Sequence, residues 1–394
     1  MDKKKITLLS LGHLSCDVNG GALPAVLPFL REALQLSYQA SGGLMFAYSC
    51  LSSIIQPLFG LLADRFSRPW FIPLGVLLAG CGMGLTGLMS SYWAIFLAIV
   101  ISGIGSSLFH PEGARHANRA AGKSKGMGLS IFSIGGNSGF VLGPLLVTGC
   151  VGLWGLTGMS AFAMLGAGMA LLLFWQLCRA GGTGRSAGKA AAQVSDEPGR
   201  NNWPEFAKLT GVIVTRSTLF ISMNAFIPLY WINVFGQSKA AGALAMTLFC
   251  ASGVMCNIGG GILADRQGYL RIIRLSFLCM PLVVLAFAYS ESLWLAWALL
   301  PLLGCVLYAP FSSMVVLGQK LLAKNIGFAS GVTLGLATSV GGLAAPVMGW
   351  IADQHGLPVA VRCLALVAAV GTFFAWQLSP EAAGESRKAD RLER

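Results

Sequence analysis

Charge is what this chain of 394 residues has least of. Asp, Glu, Lys and Arg make up 11% of it, less than half the share in an ordinary soluble domain. Residues 33–63, 69–111, 126–178, 217–238, 240–264, 292–319 and 325–352 contain none. Runs of that length exclude a water-soluble globule. A bilayer core about 30 Å thick takes about 20 apolar residues per helical span, so the two longest runs each hold two spans. Strict apolar–polar alternation is missing too, which excludes a membrane β-barrel and leaves helices. No small-residue cleavage site follows Met1-Asp2-Lys3-Lys4-Lys5, so no cleaved signal peptide is expected. The 10 cysteines are scattered and include no Cys-x-x-Cys, so neither a disulfide framework nor a metal site is expected. No nucleophile–base set is visible, and in the Gly-rich stretch 179–203 no Gly-Lys-Ser/Thr string follows a strand, so neither an enzyme nor a bound cofactor is expected.

What is present is hydrophobic: 55% of the residues. The pattern predicts an all-α polytopic membrane protein of twelve transmembrane helices, at about 6–30, 39–63, 70–90, 92–117, 126–150, 153–178, 205–233, 239–263, 271–290, 292–318, 326–351 and 357–378. This topology puts 23 of the 27 Lys and Arg on one side, with Arg31 and Lys239 among the few on the other. The positive-inside rule makes that side the cytoplasm, with both termini there. The formal charge of +12 is therefore a topology signal, and no nucleic-acid partner is expected. Residues 179–204, rich in Gly, Ala, Ser and charge over most of their length, predict a flexible cytoplasmic linker. They separate six-helix bundles at 1–178 and 205–378, with a cytoplasmic tail at 379–394.

The halves repeat one another. Gly60-Leu61-Leu62-Ala63-Asp64-Arg65, followed by Arg68, returns 201 residues later as Gly261-Ile262-Leu263-Ala264-Asp265-Arg266. Gly139-x-x-x-Gly143-Pro144 returns as Gly341-x-x-x-Ala345-Pro346, offset by 202, and Phe109-His110-Pro111 pairs with Tyr308-Ala309-Pro310, offset by 199. Such self-similarity marks a duplicated unit. The two Asp-Arg strings are expected in short cytoplasmic loops. There Asp64 meets a helix N-terminus or a cation such as Arg115 or Arg119 and acts as a gate, or else Arg65 and Arg68 merely fix topology. Gly135, Gly139 and Gly143 form a small-residue stripe for close helix packing, with Pro144 placed to bend the helix.

Polar groups inside a bilayer usually face a cavity. His13 and Asp17 stand one turn apart on the first helix, either carrying a coupling proton or forming a buried pair that fixes packing. On the fourth helix Glu112 reaches Arg115 and His116 at i+3 and i+4. It is either a second proton or substrate group, or an interfacial partner of the Asp64 loop. Arg216 on the seventh helix either snorkels to the surface or binds an anionic substrate. Asn137 and Asn224 are further candidates for lining a cavity.

These strings resemble two nested groups. The paired Gly-x-Leu-Ala-Asp-Arg segments are similar to those following the second helix of each half in the major facilitator superfamily. Gly12-His13-Leu14-x-x-Asp17-Val18-Asn19, Ser106-Ser107-x-Phe109-His110-Pro111-Glu112-x-x-Arg115 and Gly135-Gly136-Asn137-x-Gly139-x-x-x-Gly143-Pro144 resemble the fosmidomycin-resistance family of bacterial drug exporters. The fifth-helix string is similar to the superfamily's antiporter motif, although Val147-Thr148 stands where that motif closes with Gly-Gly. Many proton-driven exporters place an Arg three residues before the fourth-helix Gly. Here Val100 precedes Gly103, so proton work falls to Asp17, His110 or Glu112.

The resemblance implies a monomeric bacterial inner-membrane transporter working by alternating access, exchanging protons for a small drug or metabolite such as a fosmidomycin-like anion. In that reading Arg216 or Arg115 pairs with the anion, and Asp17, His13 and Glu112 exchange protons. An uptake symporter for a small organic acid remains open. A membrane sensor would need an output domain, for which the linker and tail leave no room.

Overall fold

The computed structural model describes residues 1–49, 70–122, 124–178 and 201–380, and among these it is helical throughout, with no strand. Among the described residues the expected segments are found as helices, the second of them only as far as residue 49. α1 is Lys3–Leu34, α2 is described over 38–49, α3 is Phe71–Leu85, α4 is Tyr92–Ala121, α5 is Lys125–Trp154 and α6 is Ser160–Cys178. α7 is Trp203–Asn233, α8 is Lys239–Gln267, α9 is Tyr269–Ala288 and α12 is Leu357–Gln377. α10 comprises Leu293–Tyr308 and Phe311–Leu321, interrupted at Ala309-Pro310. α11 runs as Ile326–Ser330, a π-helical turn at Gly331–Leu336, and Ala337–His355.

Local chemistry sets the helix ends. Asp2, Ser91 and Ser292 cap α1, α4 and α10, each side chain accepting from a backbone N–H three residues on, at 3.1, 3.4 and 3.5 Å. Such caps satisfy donors that the first turn leaves open. One expectation needs correcting here. Gly261 to Arg266 is not a loop but the last turns of α8, and the chain reverses only at Gly268, with φ at 104°. Positive φ is what a side chain resists, so Gly268 and not Gly261 makes the turn. The first copy, with Gly60, Asp64, Arg65 and Arg68, lies outside the described residues.

The chain divides into two compact units, residues 1–189 with 227–247, and residues 190–226 with 248–394. In the first, α1 and α5 approach until backbone meets backbone. A Cβ on Gly139 would sit 2.6 Å from the Val18 nitrogen, and one on Gly143 2.6 Å from the Ala22 nitrogen. Gly135 faces the Ser10 carbonyl in the same seam. Lipid offers no hydrophobic drive for helix association, so close packing of small residues supplies it. Beside the seam Leu9, Ile72, Val76, Phe109, Phe132 and Leu173 form a buried cluster.

The second unit has a matching seam, where Gly341 of α11 lies on the backbone of Ser217 in α7. Its α12 is tied down at the C-terminal end. Lys208 Nζ donates to the Gln377 carbonyl at 3.0 Å, and the Ser379 N–H to Glu205 Oε2 at 2.9 Å. A second correction concerns the cysteines: Cys256 of α8 and Cys305 of α10 are joined as a disulfide, 49 residues apart in sequence. Two facing helices bring them together, which spacing along the chain does not reveal.

Both units turn large apolar side chains outward, among them Trp93, Met164, Leu171, Met255, Trp294 and Leu366. Asp17, Glu112 and Arg216 are meanwhile buried. That inversion of the soluble pattern suits hydrocarbon as the surrounding solvent. Seven helical stretches among the described residues are long and apolar enough to cross a membrane.

The seam gives a paired test. Gly139→Val forces two backbones apart, a cost of about 1–3 kcal/mol or more for overpacking, whereas Gly149 has nothing within 4 Å. Thermal unfolding of detergent-purified protein should drop by several degrees for Gly139→Val and stay unchanged for Gly149→Val. Equal behaviour of the two would contradict the seam.

Candidate functional site

The site grows out of α1, α4 and α5. Asp17 is 5% exposed and stands one turn from His13, so both point the same way. His13 Nε2 lies 3.1 Å from Asp17 Oδ2, and His110 Nε2, from α4, lies 3.1 Å from Asp17 Oδ1. Each oxygen of one carboxylate therefore faces one imidazole. The rings are held from behind. His13 Nδ1 is 2.9 Å from the Phe132 carbonyl, and His110 Nδ1 is 2.7 Å from the Ser106 carbonyl. His13 also stacks on Phe132 at 4.2 Å and meets the edge of His110 at 5.1 Å.

Hydrogen-bond accounting says what this geometry does. A carbonyl only accepts, so both Nδ1 atoms carry hydrogen and donate. Both Nε2 atoms are thereby left facing carboxylate oxygens, and each such contact closes only with a proton between the two atoms. The cluster has places for two protons on one carboxylate. Filled, it carries one net positive charge; with one proton gone it is neutral and one link is broken. Glycine makes the room: a Cβ at Gly136 of α5 would strike His13 and lie 2.7 Å from Asp17 Oδ2.

Glu112 is fully buried but belongs to a different group. Its Oε1 is 3.2 Å from His116 Nε2 and its Oε2 3.8 Å from Arg115, all on α4. Arg115 is thus partnered by a carboxylate of its own helix. Asn137 on α5 is half-buried. Asn224 is buried and donates to the Phe220 carbonyl in its own turn, at 2.7 Å.

Arg216 does not snorkel: it is 7% exposed. Its Nε donates to the Leu307 carbonyl of α10 at 2.7 Å, and the guanidinium lies over the rings of Phe220 and Phe311, at 5.1 and 4.8 Å. No carboxylate among the described residues forms an ion pair with it. At the end of α8, Asp265 accepts from the Tyr269 hydroxyl at 2.9 Å, and both it and Arg266 are exposed. Pro144 and Pro346 lie inside α5 and α11.

Spacing along one helix brought His13 and Asp17 together, but not His110 onto the same carboxylate. The carbonyls that orient the rings were also missed, as were Phe220, Leu307 and Phe311 around Arg216. Backbone acceptors leave no trace in a sequence. The pairing of Phe109-His110 with Tyr308-Ala309 was the one available pointer to α10.

The sequence profile of the Major Facilitator Superfamily matches residues 9–346. The chain is 30% identical to the Fosmidomycin resistance protein of Escherichia coli (strain K12), over 92% of this chain and 90% of that protein. It is 28% identical to the MFS-type transporter YfnC of Bacillus subtilis (strain 168), over 93% and 90%. Among solved structures, a bacterial homologue of the human lysosomal transporter Spinster, inward-facing and occupied, superposes with a TM-score of 0.80. It is 16% identical, with 95% of this chain and 96% of that one covered. The nucleoside transporter NupG (D323A mutant) gives 0.76 at 17% identity, over 95% and 99%. At those identities the two structures speak for the fold alone.

The shared carboxylate makes His13 and His110 energetically dependent on Asp17. Asp17→Asn, His110→Ala and the double variant form a cycle in which the coupling energy should fall within about 0.5–3 kcal/mol, as for directly paired groups. Unfolding of the purified variants measures it, and strict additivity would contradict the geometry.

Proposed function

From the premise that this chain belongs to the Major Facilitator Superfamily of membrane transporters, we propose that it is a proton-coupled exporter of small organic anions. The observation that carries this is the pair of proton places on Asp17. A coupling site must exist in two states of different charge, and it must feel the difference strongly. A cluster that changes from positive to neutral on losing one proton, buried in a low-dielectric interior, does both. His13 and His110 are the groups that deliver or remove the proton, and the carbonyls of Phe132 and Ser106 keep their Nε2 atoms aimed. Glu112, with His116 and Arg115, is a second ionisable group, on α4, the helix that supplies His110.

The cluster's oriented rings favour proton handling over mere packing, because a packing role needs no second imidazole on the same carboxylate. Support for export and for a phosphonate-like anion comes from the relative named for fosmidomycin resistance. The basic residues favour the bacterial inner membrane with both termini in the cytoplasm. The sequence repeat favours six-helix halves at 1–178 and 205–378, joined by the linker 179–204 and followed by a tail at 379–394. We assign the Asp64-Arg65 and Asp265-Arg266 segments to the cytoplasmic ends where such halves would open and close. The working unit in this reading is a monomer.

Reconstituted protein tests the proposal. Asp17→Asn should lose gradient-driven transport of fosmidomycin more than tenfold while counterflow exchange, which needs no net proton movement, persists. Full gradient-driven transport by Asp17→Asn would falsify the proton role. In cells, overexpression should raise the inhibitory concentration of fosmidomycin; accumulation of the labelled compound under an inward proton gradient would favour the uptake reading instead.

A further inference from the structure

The repeat can be followed atom by atom. In α1, Gly12 lies against Leu173 of α6; in α7, Gly211 lies against Phe374 of α12, 199 and 201 residues further on. Gly139 of α5 seats on the α1 backbone at Asp17 and Val18, while Gly341 of α11 seats on Ser217 of α7. Pro28 in α1 has its counterpart in Pro228 of α7. These contacts bring α7 of one half into register with α1 of the other, and the residue in the place of Asp17 is Arg216, offset by 199. The partner helices correspond as well. Asp17 binds His110, which follows Phe109 in α4; Arg216 binds the carbonyl of Leu307, which precedes Tyr308 in α10. One architectural position thus holds an acid in the first half and a base in the second.

The two residues are treated differently by their surroundings. Asp17 has two imidazoles. Arg216 has one carbonyl and two aromatic faces, and no protein anion pairs with it among the described residues. The acids of its own unit that lie among the described residues are elsewhere. Asp265, Glu291 and Asp353 are exposed, and Glu205 is engaged by Lys208 at 2.6 Å. Among the described residues its terminal nitrogens make no protein hydrogen bond, and they are not sealed off from the solvent-accessible surface. A buried guanidinium is expensive without an anion. The Leu307 carbonyl and the rings of Phe220 and Phe311 fix its plane, leaving the fork aimed for a bidentate acid group.

We propose that Arg216 is the anchor for the acid group of the transported compound, a carboxylate or phosphonate, and that the duplicated halves have divided the work. The repeat position that holds protons in the first half holds the substrate's negative charge in the second. The coupling half of this statement rests on the proton role of Asp17; the anion assignment does not.

Equilibrium binding to the purified full-length protein tests it, using fosmidomycin, phenylphosphonate and benzoate, each beside its neutral ester. The wild type should bind at least one acid about 100-fold more tightly than the corresponding ester. Arg216→Gln should abolish that preference, and Arg216→Lys, which keeps the charge but not the fork, should retain only part of it. Asp17→Asn should keep the acid affinity within about threefold. Overturning results are wild-type binding of ester and acid alike, binding of none of the acids, or a monodisperse Arg216→Gln that keeps its preference. If Arg216→Gln does not fold, the wild-type ester comparison decides. Loss of acid binding in Asp17→Asn, with the Arg216 results as expected, would refute the division of labour and leave the anion anchor standing. Unimpaired proton-driven transport by Asp17→Asn would count against the proton reading alone.

Discussion

A carboxylate buried among membrane-spanning helices persists only where something replaces the water it has lost. Here that is a pair of imidazoles, one on each oxygen of Asp17, and the rest of the first unit is arranged to permit it. The rings must be locked by carbonyls of α4 and α5, so those helices must stand at fixed heights against α1. The glycine seam of α5 sets that height, and Gly136 leaves the space the imidazole and carboxylate occupy. Packing and chemistry are one constraint: moving α5 away from α1 also moves the Phe132 carbonyl away from His13.

The second unit shows what the same scaffold does with the opposite charge. Its α7–α11 seam repeats the α1–α5 seam at Gly341 and Ser217, but the residue presented is a guanidinium, held by a carbonyl and by ring faces. A cation needs no proton to be held in place, so no histidine is required beside it. The equivalent positions of the sequence repeat thus carry opposite charges, Asp17 in one unit and Arg216 in the other.

Much of this was legible before any coordinates. The charge-free runs fixed the solvent and the helical class, and three offsets near 200 residues fixed the duplication. His13 and Asp17 were visible because helical periodicity places i and i+4 on one face. The convergence of His110 on the same carboxylate was not, since nothing in a sequence states which faces of α1 and α4 meet. The Asp-Arg string near residue 265 was misplaced in a loop for a related reason: Gly261 reads as a breaker, yet the positive φ falls at Gly268. The Cys256–Cys305 pairing likewise depends on two helices meeting. Contacts between helices are the level at which pattern stops and packing begins.

The central claim is that protons and substrate are moved in linked steps, and a reversal measurement addresses it most directly. Proteoliposomes holding the wild-type protein would be set with opposing gradients of substrate and pH, and the substrate ratio at which net flux vanishes would be found for each pH difference. The account predicts that this ratio shifts steadily as the pH difference is changed, in the direction of exchange. A balance point that stays at equal substrate concentrations whatever the pH difference would contradict it.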